Sequence, residues 1–471
     1  MNRLGIIAGY SLAGAIALGG MVAVVWWFSI PAKFEIALRL ALQTHERAPT
    51  QIVEIDGEFT EFDGVPSAIK DGWPQFRGPN RDNIAPASVP LLDSWPDEGP
   101  PVLWSIELGD GYAGAAVKNG RVYVLDYDED QQADALRVFS LDDGAEIWRR
   151  SYEVSIKRNH GMSRTVPAVT DDFVVTIGPM CQVMAADAVT GEFLWGIDLP
   201  NEYGTQVPLW YAGQCPLIDD DIAVIATGGA ALLIGVNCAT GEVLWETPNP
   251  YGWQMSHSSI TLAVLAGKRM YIYTFAGGMA GISAEADDQG ELLWSTTEWD
   301  RSIMAPSPVQ ISNNEFIVTA GYGGGGAIFR VDRDGDEFTA VMTKEFTRRE
   351  FASEQHTPIY YRDHIFTVMP ADAGALRLQA LCIDRDGEIA WSSGMQHRFG
   401  IGPYLIADEK MFILDDDGEL TMLRAGTERF EKLGSFRPLQ GPDAWGPMAL
   451  VDGRLILRDF TRMICLDLRR E

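Results

Sequence analysis

Cysteine is scarce. The five that occur, Cys181, Cys215, Cys238, Cys382 and Cys465, are scattered, with no adjacent pair and no CxxC. That excludes a zinc ribbon and a disulfide framework, and the odd count leaves a thiol unpaired in a monomer. Histidine is as rare, at six, without HxH or HExxH spacing, so no metal site is assigned. No GxSxG elbow is present, which removes the hydrolase reading. The glycine-rich "GYGGGG" from Gly321 lacks a following GK[ST] and a helical pattern, so it is no phosphate loop. "DRDGD" from Asp332 and "DRDGE" from Asp384 begin like calcium loops but lack the later glutamate, and are read as hairpin turns. Positive charge is short as well. Lysine and arginine total 37 against 66 acidic residues, a net charge of −29. Such a surface repels phosphate backbones and excludes nucleic acid as a partner.

One stretch lacks charge altogether. No residue from Leu4 to Ile30 is charged, and Trp26, Trp27 and Phe28 stand near its end. As a helix it exceeds the roughly 30 Å hydrocarbon core and ends in an aromatic belt. It is longer than the apolar core of a secretory signal, and no cysteine precedes Cys181 to accept a lipid. The expectation is a single-pass transmembrane anchor over 1–32, a turn-rich acidic juxtamembrane stalk over 33–70, and a folded part over 71–471. The folded part is expected on the periplasmic, extracytoplasmic side.

What the chain has in plenty is a repeat. "LRVFSLDDGAEIW" ends at Trp148, "CQVMAADAVTGEFLW" at Trp195, "LLIGVNCATGEVLW" at Trp245, "GISAEADDQGELLW" at Trp294 and "LCIDRDGEIAW" at Trp391. The first four tryptophans are 47, 50 and 49 residues apart, and the last lies about two periods on. Copies without tryptophan fall near Met342 and Leu433. Each phrase alternates apolar and polar residues into an Asp/Asn–Gly turn and back, which reads as strand, turn, strand. Two shorter phrases precede it, one opening on proline as in "VPAV" at Pro167, the other of the type "FVVTIG". Four strands per period describe a propeller blade. The fold class is therefore all-β: an eight-bladed β-propeller of four-stranded blades. The last blade, "WGPMALVDGRLILRDFTRMICLDL", runs out before its closing strand, and "PPVLWSIEL" with Trp104 supplies one. Pairing of N- and C-terminal strands is expected to close the ring and remove two sheet edges.

These phrases resemble quinoprotein-type (PQQ-like) repeats, found in PQQ-dependent alcohol dehydrogenases and in BamB-type proteins of the bacterial envelope. The pattern ALDxxTGExLW stands nearly intact at Asp187–Trp195 and Asn237–Trp245. "WPQFRGPNRDNIAP" from Trp73 is similar to the lead-in of envelope members. Its prolines hold it extended, its aromatics can pack on a blade or over a mouth, and Arg77 and Arg81 can bond blade carbonyls. The dehydrogenase resemblance implies PQQ on a tryptophan beneath a disulfide of adjacent cysteines, with calcium and an aspartate base. The chain departs from it at that disulfide. The resemblance therefore implies a non-enzymatic binding or scaffold protein of the envelope with a protein partner on one propeller face. The alternative is a PQQ- and calcium-dependent alcohol or sugar dehydrogenase. No catalytic residue is assigned.

Innermost propeller strands start near the axis, so residues just before the proline phrase belong at one mouth. The candidate ligand residues there are Arg164, His257, His356 and Trp445, with Tyr112, Tyr211 and Gln355 at equivalent positions. His160, Trp253 and Arg301 come slightly earlier, on the incoming loops. Polar and aromatic side chains converging from several blades form the usual lining of a ligand pocket.

Overall fold

Eight sheets follow one another along the chain, and each is built from strands consecutive in sequence save two, which take in a strand from the N-terminal side. The computed structural model describes residues 52–470 except 87, 97 and 158–160. The expected anchor, the first part of the stalk and His160 lie outside the described residues. Among the described residues no helix is long and apolar enough to cross a membrane.

Blade 1 contains β3 (Ala116–Lys118), β4 (Arg121–Asp128), β5 (Ala133–Ser140) and β6 (Glu146–Glu153). Blades 2 to 7 repeat that meander from β7 (Ala168–Val169) to β30 (Lys432–Phe436). Their innermost strands are β11 (Leu217–Asp219), β15 (Thr261–Leu265), β19 (Val309–Gln310), β23 (Ile359–Tyr361) and β27 (Tyr404–Ala407). Blade 8 has β31 (Ala449–Val451), β32 (Arg454–Arg458) and β33 (Arg462–Asp467), and takes its outer strand from β2 (Val102–Glu107). In that pairing Trp104 stands opposite Cys465, so the expected closure is present. Innermost β3 touches both β7 and β31, completing the circle.

The recurring tryptophan explains how one blade grips the next. Trp195, on β10 (Phe193–Asp198), donates its indole N–H to the Cys238 carbonyl of blade 3 at 2.8 Å. Gly241 of that same blade-3 hairpin has φ +74°, and a Cβ there would come within 2.7 Å of the indole. Glycine is thus needed for both backbone angle and approach. Trp104 repeats the device across the closure, donating to Leu141 O at 3.0 Å. Arg458 of blade 8, 1% exposed, adds bonds to the carbonyls of Ala113 and Gly109 leading into blade 1.

Two copies depart from the pattern. Register places Lys344 and Gly434 where other blades have tryptophan, just past the expected Met342 and Leu433, with the same outer-hairpin bulge beside the position in each. Beside Gly434 the space is filled from elsewhere in the chain. Trp95 lies 3.7 Å from the position of its absent Cβ and packs edge-on to Phe436 at 4.9 Å.

The folded part begins before the expected residue 71. Strand β1 (Glu58–Glu61) adds to β6 antiparallel, giving blade 1 a fifth strand. Ile55 is buried with it, and Ser67 bonds Asp142 at 2.9 Å. The outer edge of β6 offers unpaired backbone groups, and the alternating "EFTE" satisfies them while its glutamates stay in water.

Candidate ligand well at the propeller mouth

The lead-in that fits no strand is a cork. Trp73, 1% exposed, bridges Val117 of β3, and Pro74 O accepts from Val169 N of β7. Arg81 donates to Ile218 O of β11 at 2.8 Å, Arg77 to Pro358 O at 3.2 Å, and Asn83 to Tyr404 O at 2.7 Å. Blades from opposite sides of the ring are thus tied through one segment. Several of these contacts fall within the innermost strands, past the residues that precede them, so the cork closes the channel from the side opposite the expected mouth. Backbone bonds at Trp73, Pro74, Asn83 and Ala85 join the side-chain bonds, and at Pro74 only the carbonyl takes part, since proline cannot donate. Gly78 takes φ +82° so the chain can turn over the Trp73 ring, which a Cβ would meet at 2.9 Å.

Above the cork lies a cavity of about 190 Å³, with Phe76 at its base. All eight blades line it: Tyr112, Arg164, Trp210, His257, Ile303, His356, Ile401 and Trp445 each come from the approach to a different innermost strand. Arg164, His257, His356 and Trp445 are therefore brought together, with Tyr112 and Gln355. Tyr211 turns away and donates its hydroxyl to the Lys157 carbonyl. Trp253 is buried under Gly277 and Gly278, and Arg301 stacks on Trp299 and pairs with Glu345; neither lines the cavity. Spacing alone missed Trp210, Tyr322 and Glu354, while Phe76 takes one of the two places expected of the lead-in aromatics. Trp210 and Tyr211 both sit at positive φ, an exchange of facing that periodicity does not show. Tyr322 comes from "GYGGGG", whose glycines form the turn into β21 (Gly325–Asp334) and not a phosphate cradle.

The walls are aromatic. Tyr112 and Trp445 lie 5.1 Å apart at 32°, and the Arg164 guanidinium lies over the Tyr112 ring at 4.8 Å. Across from them Trp210 stacks on His257 at 6.0 Å and meets Tyr322 at 5.7 Å. Trp445 is held by its indole N–H, which donates to Asp416 Oδ1 at 2.7 Å. Burial pushes His257 down to about 4, with the nearby Arg164 charge acting the same way. Burial alone lowers His356 to about 4, and its Nε2 has no partner. Both imidazoles are neutral at pH 7. Arg164 also has a lowered pKa from burial, and the groups that offset this are tyrosine phenols, not carboxylates. Glu354 is raised by burial.

A family model described as outer membrane protein assembly factor BamB matches residues 132–380. The chain belongs to this family. Three solved structures are similar to the BamB-type propeller seen here. BamB from Moraxella catarrhalis is 12% identical, with 87% of this chain and 100% of that chain covered, at TM-score 0.48. The computationally designed Ika8 protein is 13% identical over 78% and 99% of the two chains, at TM-score 0.53. A europium-containing methanol dehydrogenase is 11% identical over 82% and 89%, at TM-score 0.56. No curated protein matches the chain. Identities this low establish the architecture only. One scaffold serves a design and a dehydrogenase, so chemistry has to be read from the site.

The quinone-and-calcium arrangement can be tested on the donor set. Calcium takes roughly six to eight oxygen ligands, several of them carboxylates. The well is lined by one carboxylate, Glu354, and among the described residues no group of three His, Cys, Asp or Glu could hold a metal. All five cysteines are buried and free, and none adjoins another. The residues present do not fit that pair of cofactors.

Proposed function

We propose that this BamB-type propeller is a non-enzymatic binding protein of the cell envelope, tethered through its N-terminal apolar segment with the ring outside the cytoplasm. It presents the open mouth to a partner. The observation that supports this reading best is the composition of the well: aromatic walls, one guanidinium, two neutral histidines and a single carboxylate, Glu354, with no calcium ligand set. Such a surface has the make-up of a recognition site. The rim adds exposed apolar side chains, Leu209 at 61% and Tyr322 at 53%. Aromatic residues around a recessed pocket are the usual anchor of a protein interface. The second reading, a quinone-dependent dehydrogenase, is favoured by shared architecture only.

Crosslinking in native membranes followed by mass spectrometry tests the proposal. Crosslinks to a partner should cluster on the loops around Leu209, Tyr322 and Glu354. Dye reduction by the purified protein after addition of PQQ and calcium, with an alcohol or sugar as donor, would replace it with the dehydrogenase reading.

A further inference from the structure

We infer that the well is a binding site for a small aromatic carboxylate, held by its carboxylate on Arg164 and by its ring between the Tyr112–Trp445 and Trp210–Tyr322 walls. The inference rests on reading the mouth as a recognition surface and names what the cavity itself takes.

Charge carries the first part. The chain has far more acids than bases, and three other loop arginines are matched: Arg301 with Glu345, Arg348 with Asp372, Arg437 with Asp417. Arg164 has no carboxylate within ion-pair distance among the described residues, and its Nε has no partner. A half-buried guanidinium without a counterion is costly, and in a cavity it calls for an anion from outside. Planar, two-pronged donation makes a carboxylate the matching group. The neighbouring imidazoles are uncharged and the well's own carboxylate, Glu354, is not paired with Arg164, so Arg164 is the one fixed cation and takes one carboxylate.

Shape carries the second part. The cavity of about 190 Å³ corresponds to about six waters. That is below the usual pocket range of about 300–1,000 Å³ and fits a single ring with its acid group. Phe76 blocks the far end, so an extended chain cannot thread through. Facing aromatic pairs favour a flat guest over a branched aliphatic one.

Titration of the purified propeller with benzoate tests this, read by tryptophan fluorescence and by calorimetry, with benzamide as the uncharged control. A fragment of this size is expected to bind with Kd between about 10 μM and 1 mM. Benzamide should bind at least tenfold more weakly. Arg164→Gln should remove the preference for the acid, and Trp210→Ala should weaken benzoate while keeping it. Arg164→Gln should melt no lower than the parent, because it removes an unmatched buried charge, so loss of binding is not loss of fold. Equal binding of benzoate and benzamide, or unchanged benzoate binding in Arg164→Gln, would overturn the assignment. Partner crosslinks that persist in Arg164→Gln leave the scaffold reading standing by itself. Benzoate binding without any partner in membranes would leave only the small-acid site.

Discussion

Asp134 shows how much a single buried carboxyl can shape this protein's response to pH. It is fully buried on β5, accepts from the Tyr152 hydroxyl at 2.7 Å, and leaves Oδ1 without a partner. Burial pushes its pKa up to about 7, while the Tyr152 bond pulls the other way. A carboxyl raised in the folded state stabilises fully below its unfolded pKa, and that contribution is lost as pH rises through about 7. Asp134→Asn keeps an acceptor for Tyr152 and removes the charge. Its unfolding free energy from urea titration should exceed the parent's by a margin that widens from pH 4 to 7, reaching about 1–3 kcal/mol at pH 8. The histidines of the well act with opposite sign. His257 and His356 are depressed to about 4, so their contribution is present above pH 6.5 and lost as pH falls through 4. The double variant His257→Gln/His356→Gln should flatten acid unfolding in that window, measured by circular dichroism against pH.

At the level of elements, the two N-terminal additions differ in what they bury. Trp73 and Arg77 are 1% and 4% exposed and join blades across the ring, whereas Phe59 on β1 is 43% exposed and joins only an edge. Trp73→Ala should cost about 3–5 kcal/mol, the range for emptying a large aromatic site. Phe59→Ala should cost less than about 1 kcal/mol. Urea titrations of both variants check the ranking. Equal losses would mean that the cork is no better seated than the edge strand. The recurrent Trp–Gly contact was visible as a motif, but its purpose was not. A tryptophan clamps the glycine turn of the neighbouring blade, so motif partners belong to consecutive copies. For the same reason Trp95 could not be matched to Gly434 in advance. The residue that fills the gap lies outside the repeat, more than 300 positions away.

The whole ring depends on one borrowed strand. Blade 8 has only three strands of its own, and β2 supplies the fourth together with the Trp104 grip on blade 1. Removing residues 100–108 should expose the edge of β33, break cooperative melting and drive association, as seen by calorimetry and size-exclusion chromatography. A monomeric truncated protein with unchanged Tm would show that the circle holds without it. Closure also explains why a 420-residue segment, 52–471, forms one compact unit. Each blade is too thin to bury its faces alone, and only a closed circle gives every blade two neighbours.

The repeat by itself determined the blade count, the strand order, the shared closing blade and the ring of positions from which Arg164, His257, His356 and Trp445 converge. Those follow from periodicity, because identical units placed around an axis carry equivalent residues to equivalent places. Tertiary structure alone decided the rest: the lead-in as a cork, the fifth strand on blade 1, and the contribution of Trp210, Tyr322 and Glu354. These depend on where non-repeating segments come to rest, and that is set by which backbone edges and cavities the finished ring leaves open. A periodic pattern carries no record of such vacancies until the ring has closed.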